Sequence, residues 1–233
     1  MKIAPVHVAF ITVFAALQAV LSTLPFTITV GVEGQITLGL IGGALIGVLL
    51  GPLMGGLAVL IGSFIGVFLN PAGAILGIFT VIPPFLGSVG AGCVKIKKGY
   101  VAGGIMLAAL LMFYAHPVGR EVLAYPWFYV VGMIVAFSPL AYLAGSSFGS
   151  EKLAKPVFGI VTASFVGVLA DGMAGSGIAM LYFSGLLPEI WLSIMFVYPV
   201  ERIVAMVITS LVAIPVYYSL KKSGLAEFIP EHI

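Results

Sequence analysis

Three ionisable residues lie inside apolar segments of this sequence, where a charged side chain needs an oppositely charged group or water beside it. Asp171 lies about fifteen residues into the apolar segment 157–183, and Glu201 and Arg202 follow Pro199 near the start of the last segment. An ionisable group within a membrane is costly unless it is paired or faces water, so it is a functional candidate by default. Two interpretations stay open: a structural network in which Arg202 pairs with Asp171, or contact with a polar solute.

Glycines flank the acidic residue of segment 157–183, at Gly172, Gly175 and Gly177. Glycine tolerates backbone conformations that other residues avoid, and it lets a backbone approach another group closely. This spacing therefore predicts either a break in the helix beside Asp171 or a close approach of its backbone to a ligand.

Further candidates lie between the apolar segments, where polar and aromatic residues gather towards one end of the predicted bundle. Tryptophan and tyrosine at such depths commonly form an interfacial belt. Their concentration together with polar groups favours a pocket that opens to the outer side, with aromatic walls and a few hydrogen-bonding groups. The residues predicted to bind a solute are Glu33, Gln35, Asn70, Arg120, Trp127, Asp171, Tyr198, Glu201 and Arg202. If the solute is anionic, Arg120 and Arg202 are expected to pair with its carboxylate or phosphate.

Motifs for other chemistry are missing from the sequence. It contains no phosphate loop ending in GK[ST], no HExxH and no GxSxG. His7, His116 and His232 are scattered, and Cys93 is a single cysteine, so no metal site has a recognisable spacing. We therefore predict no catalytic residue, no metal site and no cofactor, and the chain is not expected to use ATP unaided.

The composition indicates the class of protein in which these candidate residues lie. The chain has 233 residues, of which 61% are hydrophobic and 8% charged, with a mean hydropathy of +1.24. Soluble domains carry about 25% charged residues. A soluble enzyme, a nucleic-acid-binding protein and a disordered chain are therefore excluded, and an all-α integral membrane protein is predicted.

A hydrophobic stretch of about 20 residues spans a bilayer, and the apolar segments give the order of the helices. They cover about 6–24, 37–51, 53–70, 74–94, 100–116, 126–145, 157–183 and 191–220. With both termini in the cytoplasm, every lysine falls on the inner side, as the positive-inside rule requires. The second and third segments are short enough to form a re-entrant pair, so we predict a bundle of six to eight transmembrane helices.

The domain organisation follows from the same segments. Residues 1–233 are predicted to form one transmembrane helical domain, with 225–233 as a short cytoplasmic tail. SFIGVFLNPAG at 63–73 is echoed by SFVGVLADGMAG at 164–175. The echo is compatible with a parallel repeat of four plus four helices, about 1–99 and 100–224, as some transporters have. Chance similarity between glycine-rich apolar stretches is the alternative.

Three stretches of the chain carry a resemblance to a known family. They are TVFAALQAVLSTLPF (12–26), GLIGGALIGVLLGPLMGGLAVLIGSFIGVFLNPAG (39–73) and ERIVAMVITSLVAIPVYYSLKKSG (201–224). In these the chain resembles the substrate-binding S components of energy-coupling factor (ECF) transporters, which import vitamins and related micronutrients into prokaryotes. That family usually has six helices, so the surplus is expected at about 100–145, as an inserted hairpin.

The resemblance implies partners and roles for particular residues. The alanine-rich face of the first helix, with Ala15 and Ala19, would dock on a transmembrane coupling protein that works with ATPase subunits. The segment Pro25–Gln35 would act as the outer gate. The expected location is the prokaryotic plasma membrane, and the expected partners are a small-molecule substrate and the lipid bilayer, with no nucleic acid.

Three functions remain open at this stage. The leading hypothesis is a non-enzymatic subunit that captures a vitamin-like solute on the outer side and delivers it inward with an ATP-driven partner. A self-sufficient secondary transporter is the second, in which Asp171 and Glu201 would bind a coupling proton or cation. The third is a membrane enzyme, which would depend on His116 or Asp171, or a structural partner protein.

Overall fold

The chain folds as a bundle of α-helices. A computed structural model describes residues 5–26, 36–152, 154–183, 185 and 187–225. The helices are α1 (Pro5–Thr23), α2 (Gly39–Leu50), α3 (Pro52–Leu69), α4 (Ile82–Lys95), α5 (Gly99–Ala115), α6 (Pro117–Glu121), α7 (Trp127–Phe137), α8 (Pro139–Ser147), α9 (Ala154–Tyr182), α10 (Pro188–Ile194) and α11 (Val197–Lys222). Short 3₁₀ helices cover Pro71–Gly73 and Gly77–Val81. Two-residue strands, β1 (Pro25–Phe26) and β2 (Ile36–Thr37), pair antiparallel between α1 and α2.

The predicted all-α, polytopic membrane class is confirmed, and each predicted apolar segment is helical. Four described stretches are long and apolar enough to cross a membrane: Pro52–Leu69, Gly77–Lys95, Ala154–Tyr182 and Val197–Lys222. The pair α7–α8, bent by 64°, would be a fifth. The remaining predicted segments are the shorter apolar helices His7–Thr23, Gly39–Leu50 and Gly99–Ala115.

The short helix α2 lies at the centre of the bundle. All of its residues are buried, and α1, α3, α4, α9 and α11 pack around it. Its 12 residues extend only about 18 Å at the rise of an α-helix, less than the hydrocarbon thickness. The chain leaves α2 through Gly51, whose φ of 81° suits glycine, and Pro52 then begins α3.

Helices α1 and α3 pack closely along faces of small residues. Ala15 and Ala19 are 4% and 6% exposed. A Cβ atom added at Gly62 would overlap the carbonyl oxygen of Ala15, and one at Gly66 would lie 2.5 Å from Cβ of Ser22. The alanine face of α1 is therefore covered by α3, and the docking of Ala15 and Ala19 on a coupling protein remains a prediction.

Helices α4 and α9 approach each other through glycines, and this contact positions Asp171. A Cβ atom at Gly167 would lie 2.9 Å from the carbonyl oxygen of Gly87, and one at Gly87 would lie 2.8 Å from Cβ of Asp171. The glycines beside Asp171 do not interrupt the helix, since α9 is continuous from Ala154 to Tyr182. The predicted helix break is therefore wrong: Gly172 and Gly177 allow close packing, while Gly172 and Gly175 line the cavity described below.

Most lysines collect at one end of the bundle. There Lys95 Nζ donates to the Leu49 carbonyl at the end of α2, and Lys221 Nζ donates to the Ser150 carbonyl beyond α8. The lysines on the helix ends of this side are Lys95, Lys97, Lys98, Lys152, Lys155, Lys221 and Lys222. The ends of α1, α3 and α9 and the starts of α4 and α11 lie at the opposite end. The packing thus agrees with the alternation predicted from the lysines, and the cytoplasmic position of the lysine end remains a prediction.

Two further expectations concern the domain organisation. The four-plus-four repeat remains a prediction, in which the straight α2 would correspond to the bent pair α7–α8. Of the predicted tail at 225–233, only Leu225 lies within the described residues.

Candidate functional site

A cavity of about 560 Å³ opens at the end of the bundle opposite the lysines. It lies within the size range of small-molecule sites. Residues of α1, α2, α3, the 3₁₀ turns, α4, α9, α10 and α11 form its walls, and most of them are apolar. The polar and aromatic residues that line it are Ser22, Ser63, Asn70, Thr80, Asp171, Ser176, Phe183, Trp191, Tyr198 and Arg202.

One wall carries a cluster of three charged residues. Arg202 Nη1 lies 3.5 Å from Asp171 Oδ1, and Arg202 Nη2 lies 3.7 Å from Glu201 Oε1. The side chains of Arg202 and Asp171 are 9% and 10% exposed, and that of Glu201 is 2% exposed. One guanidinium is thus held between two carboxylates, with Arg202 and Asp171 on the cavity and Glu201 behind them.

The charged cluster leaves hydrogen-bonding capacity unused. Among the described residues, Arg202 Nε and Nη1 and Asp171 Oδ2 have no hydrogen-bond partner. Buried polar atoms in proteins are nearly always hydrogen bonded, since an unpaired one costs about 1–3 kcal/mol. Since Asp171 and Arg202 also line the cavity, their side chains are the first candidates to bond a polar solute there.

Glycine makes room for the guanidinium. A Cβ atom at Gly172 would lie 2.9 Å from Arg202 Nε and 2.6 Å from Cε1 of Tyr129. Any side chain at Gly172 would push the guanidinium away from Asp171, one residue earlier on the same helix. The sequence pattern D-G at 171–172 is therefore part of the site.

Aromatic side chains line another side of the cavity. The Arg202 guanidinium carbon lies 5.9 Å from the centre of the Tyr198 ring, a cation–π distance. The Trp191 ring packs edge-on against Tyr125 at 4.8 Å and Phe113 at 5.0 Å, and its Nε1 has no hydrogen-bond partner among the described residues. A rigid aromatic wall of this kind suits the face of a planar ligand.

Hydroxyl groups occupy the wall formed by α1 and α3. Ser22 and Ser63 line the cavity; Nε2 of Gln18 donates to Ser63 Oγ at 2.9 Å and lies 3.4 Å from Ser22 Oγ. Gln18 is fully buried and was missed as a site residue. Its signal in the sequence is an amide within the otherwise apolar run of α1.

The predicted site residues fall into several groups. Asn70, Asp171, Tyr198 and Arg202 line the cavity, and Glu201 contacts it through Arg202. Asn70 also bridges α1 and the turn after α3, because its Nδ2 donates to the Thr23 carbonyl and its Oδ1 accepts from the Gly73 amide.

Other predicted residues lie elsewhere. Arg120 donates from Nε and Nη2 to the carbonyls of Tyr114 and Ala115, both at 3.0 Å, so it caps the end of α5. Trp127 is 43% exposed and donates to the Met195 carbonyl at 3.4 Å. Neither residue lines the cavity, so the geometry gives no support to their assignment to the site. Glu33 and Gln35 lie outside the described residues.

Comparison with known proteins places this geometry in context. Residues 2–153 match the family described as ECF-type riboflavin transporter, S component. An uncharacterized protein of Methanocaldococcus jannaschii is 30% identical over 154 residues, which are 66% of this chain and 51% of that protein. The chain thus spans about half the length of this curated relative. No solved structure matches the chain.

The family match covers only part of the residues that form the cavity. The match includes 100–145, the stretch predicted to be an insertion, and it ends before α9. The charged cluster and the aromatic residues from Phe183 to Tyr198 lie beyond it. The site therefore has two walls. One comes from the matched region and includes Ser22, Ser63 and Asn70; the other comes from α9, α10 and α11.

Proposed function

This chain belongs to the family of ECF-type riboflavin transporter S components, and from that premise we propose how its cavity serves transport. Members of such a family are substrate-binding subunits of membrane transporters. The proposal is that the cavity captures a vitamin-like solute from the outer side of a prokaryotic plasma membrane. The observation that supports it best is the position of the cavity at the end opposite the lysines.

We propose riboflavin as the first solute to test. Its planar ring suits an aromatic wall, and its carbonyl and hydroxyl oxygens suit the serine hydroxyls and the guanidinium on the other walls. The cavity volume of about 560 Å³ is sufficient for a ligand of this size. The family description names riboflavin, and the lining of this cavity is compatible with it.

The charge of the cavity favours an uncharged solute. Arg202 is the one cation among its described lining residues, and two carboxylates lie within 3.7 Å of it. Arg120, the second arginine of the chain, caps α5 instead. The sequence predicts that both arginines would pair with an anionic solute. We propose instead that the cavity disfavours phosphorylated flavins.

Inward delivery is proposed to need a coupling protein and ATPase subunits, as the family name implies. The proposed gate, Pro25–Gln35, would close the mouth of the cavity. Its ends are tied by pairing of Pro25 with Thr37 and of Phe26 with Ile36, whereas Glu33 and Gln35 lie outside the described residues. Ala15 and Ala19 would contact the coupling protein only after separation from α3.

Liposomes that contain the purified chain alone test whether the chain binds the solute but needs partner subunits to accumulate it. We expect saturable riboflavin binding without accumulation, because the chain has no ATP-hydrolysing motif. Accumulation should appear when coupling protein and ATPase subunits are added with ATP. Accumulation by the chain alone that a protonophore abolishes would contradict the proposal and support a secondary transporter.

A further inference from the structure

A buried glutamine stands behind the wall that α1 and α3 contribute to the cavity. Gln18 has no exposed surface. Its Nε2 donates to Ser63 Oγ at 2.9 Å and to the Gly39 carbonyl oxygen at 3.2 Å, with a longer contact of 3.4 Å to Ser22 Oγ. One amide group therefore joins α1 to the start of α2 and the middle of α3.

The orientation of this amide is fixed by its neighbours. A backbone carbonyl can only accept a hydrogen bond, so the group that faces Gly39 must be the NH₂ of Gln18. The opposite oxygen, Oε1, is buried without a hydrogen-bond partner among the described residues and lies against the backbone of Gly42. If the amide were reversed, two oxygens would face each other at Gly39.

Two glycines provide the space that the glutamine occupies. A Cβ atom at Gly62 would lie 2.6 Å from Gln18 Cβ, and a Cβ atom at Gly42 would overlap Gln18 Oε1. A larger side chain on either helix would displace the amide. Its position is thus determined by α2 and α3 as well as by α1.

The direction of these hydrogen bonds decides what the serines can offer. The two amide hydrogens of Gln18 go to Ser63 Oγ and the Gly39 carbonyl. Ser63 is therefore an acceptor towards Gln18, and within the described chain its hydroxyl donates to no other group. A serine carries one hydroxyl hydrogen, so that of Ser63 stays available on a residue that lines the cavity. By contrast, the Ser176 hydroxyl already donates to the Gly172 carbonyl at 2.9 Å.

We propose that Gln18 is a positioning residue that makes Ser63 a hydrogen-bond donor towards the cavity, and that this donor selects solutes with an acceptor oxygen. This inference rests on the proposed function, and it assigns the α1–α3 wall the recognition of a carbonyl or hydroxyl oxygen. Thr80 adds another donor on the cavity lining, since its hydroxyl accepts from the Leu76 amide and, among the described residues, donates to none.

Riboflavin titration of the full chain in lipid nanodiscs tests the inference, with flavin fluorescence as the signal. Ser63→Ala removes one oxygen and should weaken riboflavin binding about three- to tenfold, the usual worth of one hydrogen bond. Gln18→Met removes the amide at similar volume and should weaken binding to a similar extent. Ser210→Ala is the matched control, because Ser210 is buried, donates to the Met206 carbonyl and does not line the cavity.

The double variant Gln18→Met/Ser63→Ala separates positioning from a general loss of structure. If Gln18 acts through Ser63, the double variant should bind riboflavin about as well as Ser63→Ala alone, because coupled residues are not additive. Losses that multiply, or a Ser63→Ala variant that binds like the wild type, would overturn the inference. If Gln18→Met does not fold, Ser63→Ala still tests the inference, because wild-type riboflavin affinity in that variant would overturn it. Absence of riboflavin binding by the wild type would instead contradict the proposed function.

Discussion

At the scale of single residues, the site depends on how a few polar groups are balanced. Arg202 faces the cavity between Asp171 and Glu201, and Gln18 donates to the Ser63 hydroxyl, whose hydrogen is left for a solute. The charged residues around Arg202 determine which charge of solute the cavity accepts. Gln18 and the serine it contacts determine which hydrogen-bonding group of the solute the cavity accepts. Both depend on neighbouring glycines, such as Gly172 and Gly42, that leave space for a long side chain.

Charge selectivity gives the first prediction. Glu201→Gln removes one of the two carboxylates around Arg202, so riboflavin 5′-phosphate should gain about tenfold in affinity relative to riboflavin. A unit charge about 10 Å away contributes on the order of 1–2 kcal/mol at an effective dielectric constant of about 20. Competition titrations measure the ratio. Glu189→Gln, on an exposed residue of the same end, should leave the ratio unchanged, and an unchanged ratio in Glu201→Gln would refute this view of the cluster.

Stability gives the second prediction. Arg202→Met leaves Asp171 and Glu201 buried without their cation, and breaking a buried ion pair in this way costs about 3–5 kcal/mol. We expect a clear fall in the thermal unfolding midpoint of the detergent-solubilised protein. Arg120→Met removes an exposed arginine of the same chain and should cost much less. Equal midpoints for the two variants would mean that the charged cluster does not stabilise the fold.

At the scale of helices, small residues decide which faces meet. The alanines of α1 pack on Gly62 and Gly66 of α3, and Gly87 of α4 packs on Gly167 of α9. Tight approach through small residues is a usual basis of helix association in membranes. In this chain it serves a further purpose, because each of these contacts places a polar side chain, Gln18 or Asp171, beside the cavity.

Helix packing gives the third prediction. Gly62→Ala inserts a methyl group against the Ala15 carbonyl oxygen and Gln18, and overpacking of this kind costs about 1–3 kcal/mol. The thermal midpoint should fall and riboflavin binding should weaken. Gly104→Ala on α5 is the control, since a Cβ atom there meets nothing within 4 Å. A Gly62→Ala variant as stable as Gly104→Ala would show that α1 and α3 do not pack as described.

At the scale of the whole molecule, the sequence predicts the class and the helices well and the site only in part. Long apolar runs have no stable alternative to membrane helices, so the segments could be located without a structure. Asp171 and Arg202 could be found because a charge in such a run demands a partner. Gln18 and Ser63 could not be assigned, because which face of α1 meets α3 depends on tertiary packing. The sequence also does not show that the donors of Arg120 bond the carbonyls at the end of α5, the preceding helix.

Membrane orientation gives the fourth prediction. On a background of Cys93→Ser, single cysteines at Glu189 and Arg120 should react with a membrane-impermeant maleimide added to intact cells. Single cysteines at Lys98 and Lys152, at the lysine end, should react only after the membrane is opened, as the positive-inside rule requires. Labelling of the lysine end from outside would reverse the proposed orientation of the cavity.

The central claim is that the cavity between α3, α4, α9 and α11 binds the solute, and blocking it tests that claim most directly. Ala179 lines the cavity, whereas Ala108 lies on an exposed face of α5. Equilibrium titration with riboflavin should show one site per chain in the wild type and in Ala108→Trp, and no binding in Ala179→Trp. Riboflavin binding by Ala179→Trp at wild-type affinity, with the fold intact, would contradict the account.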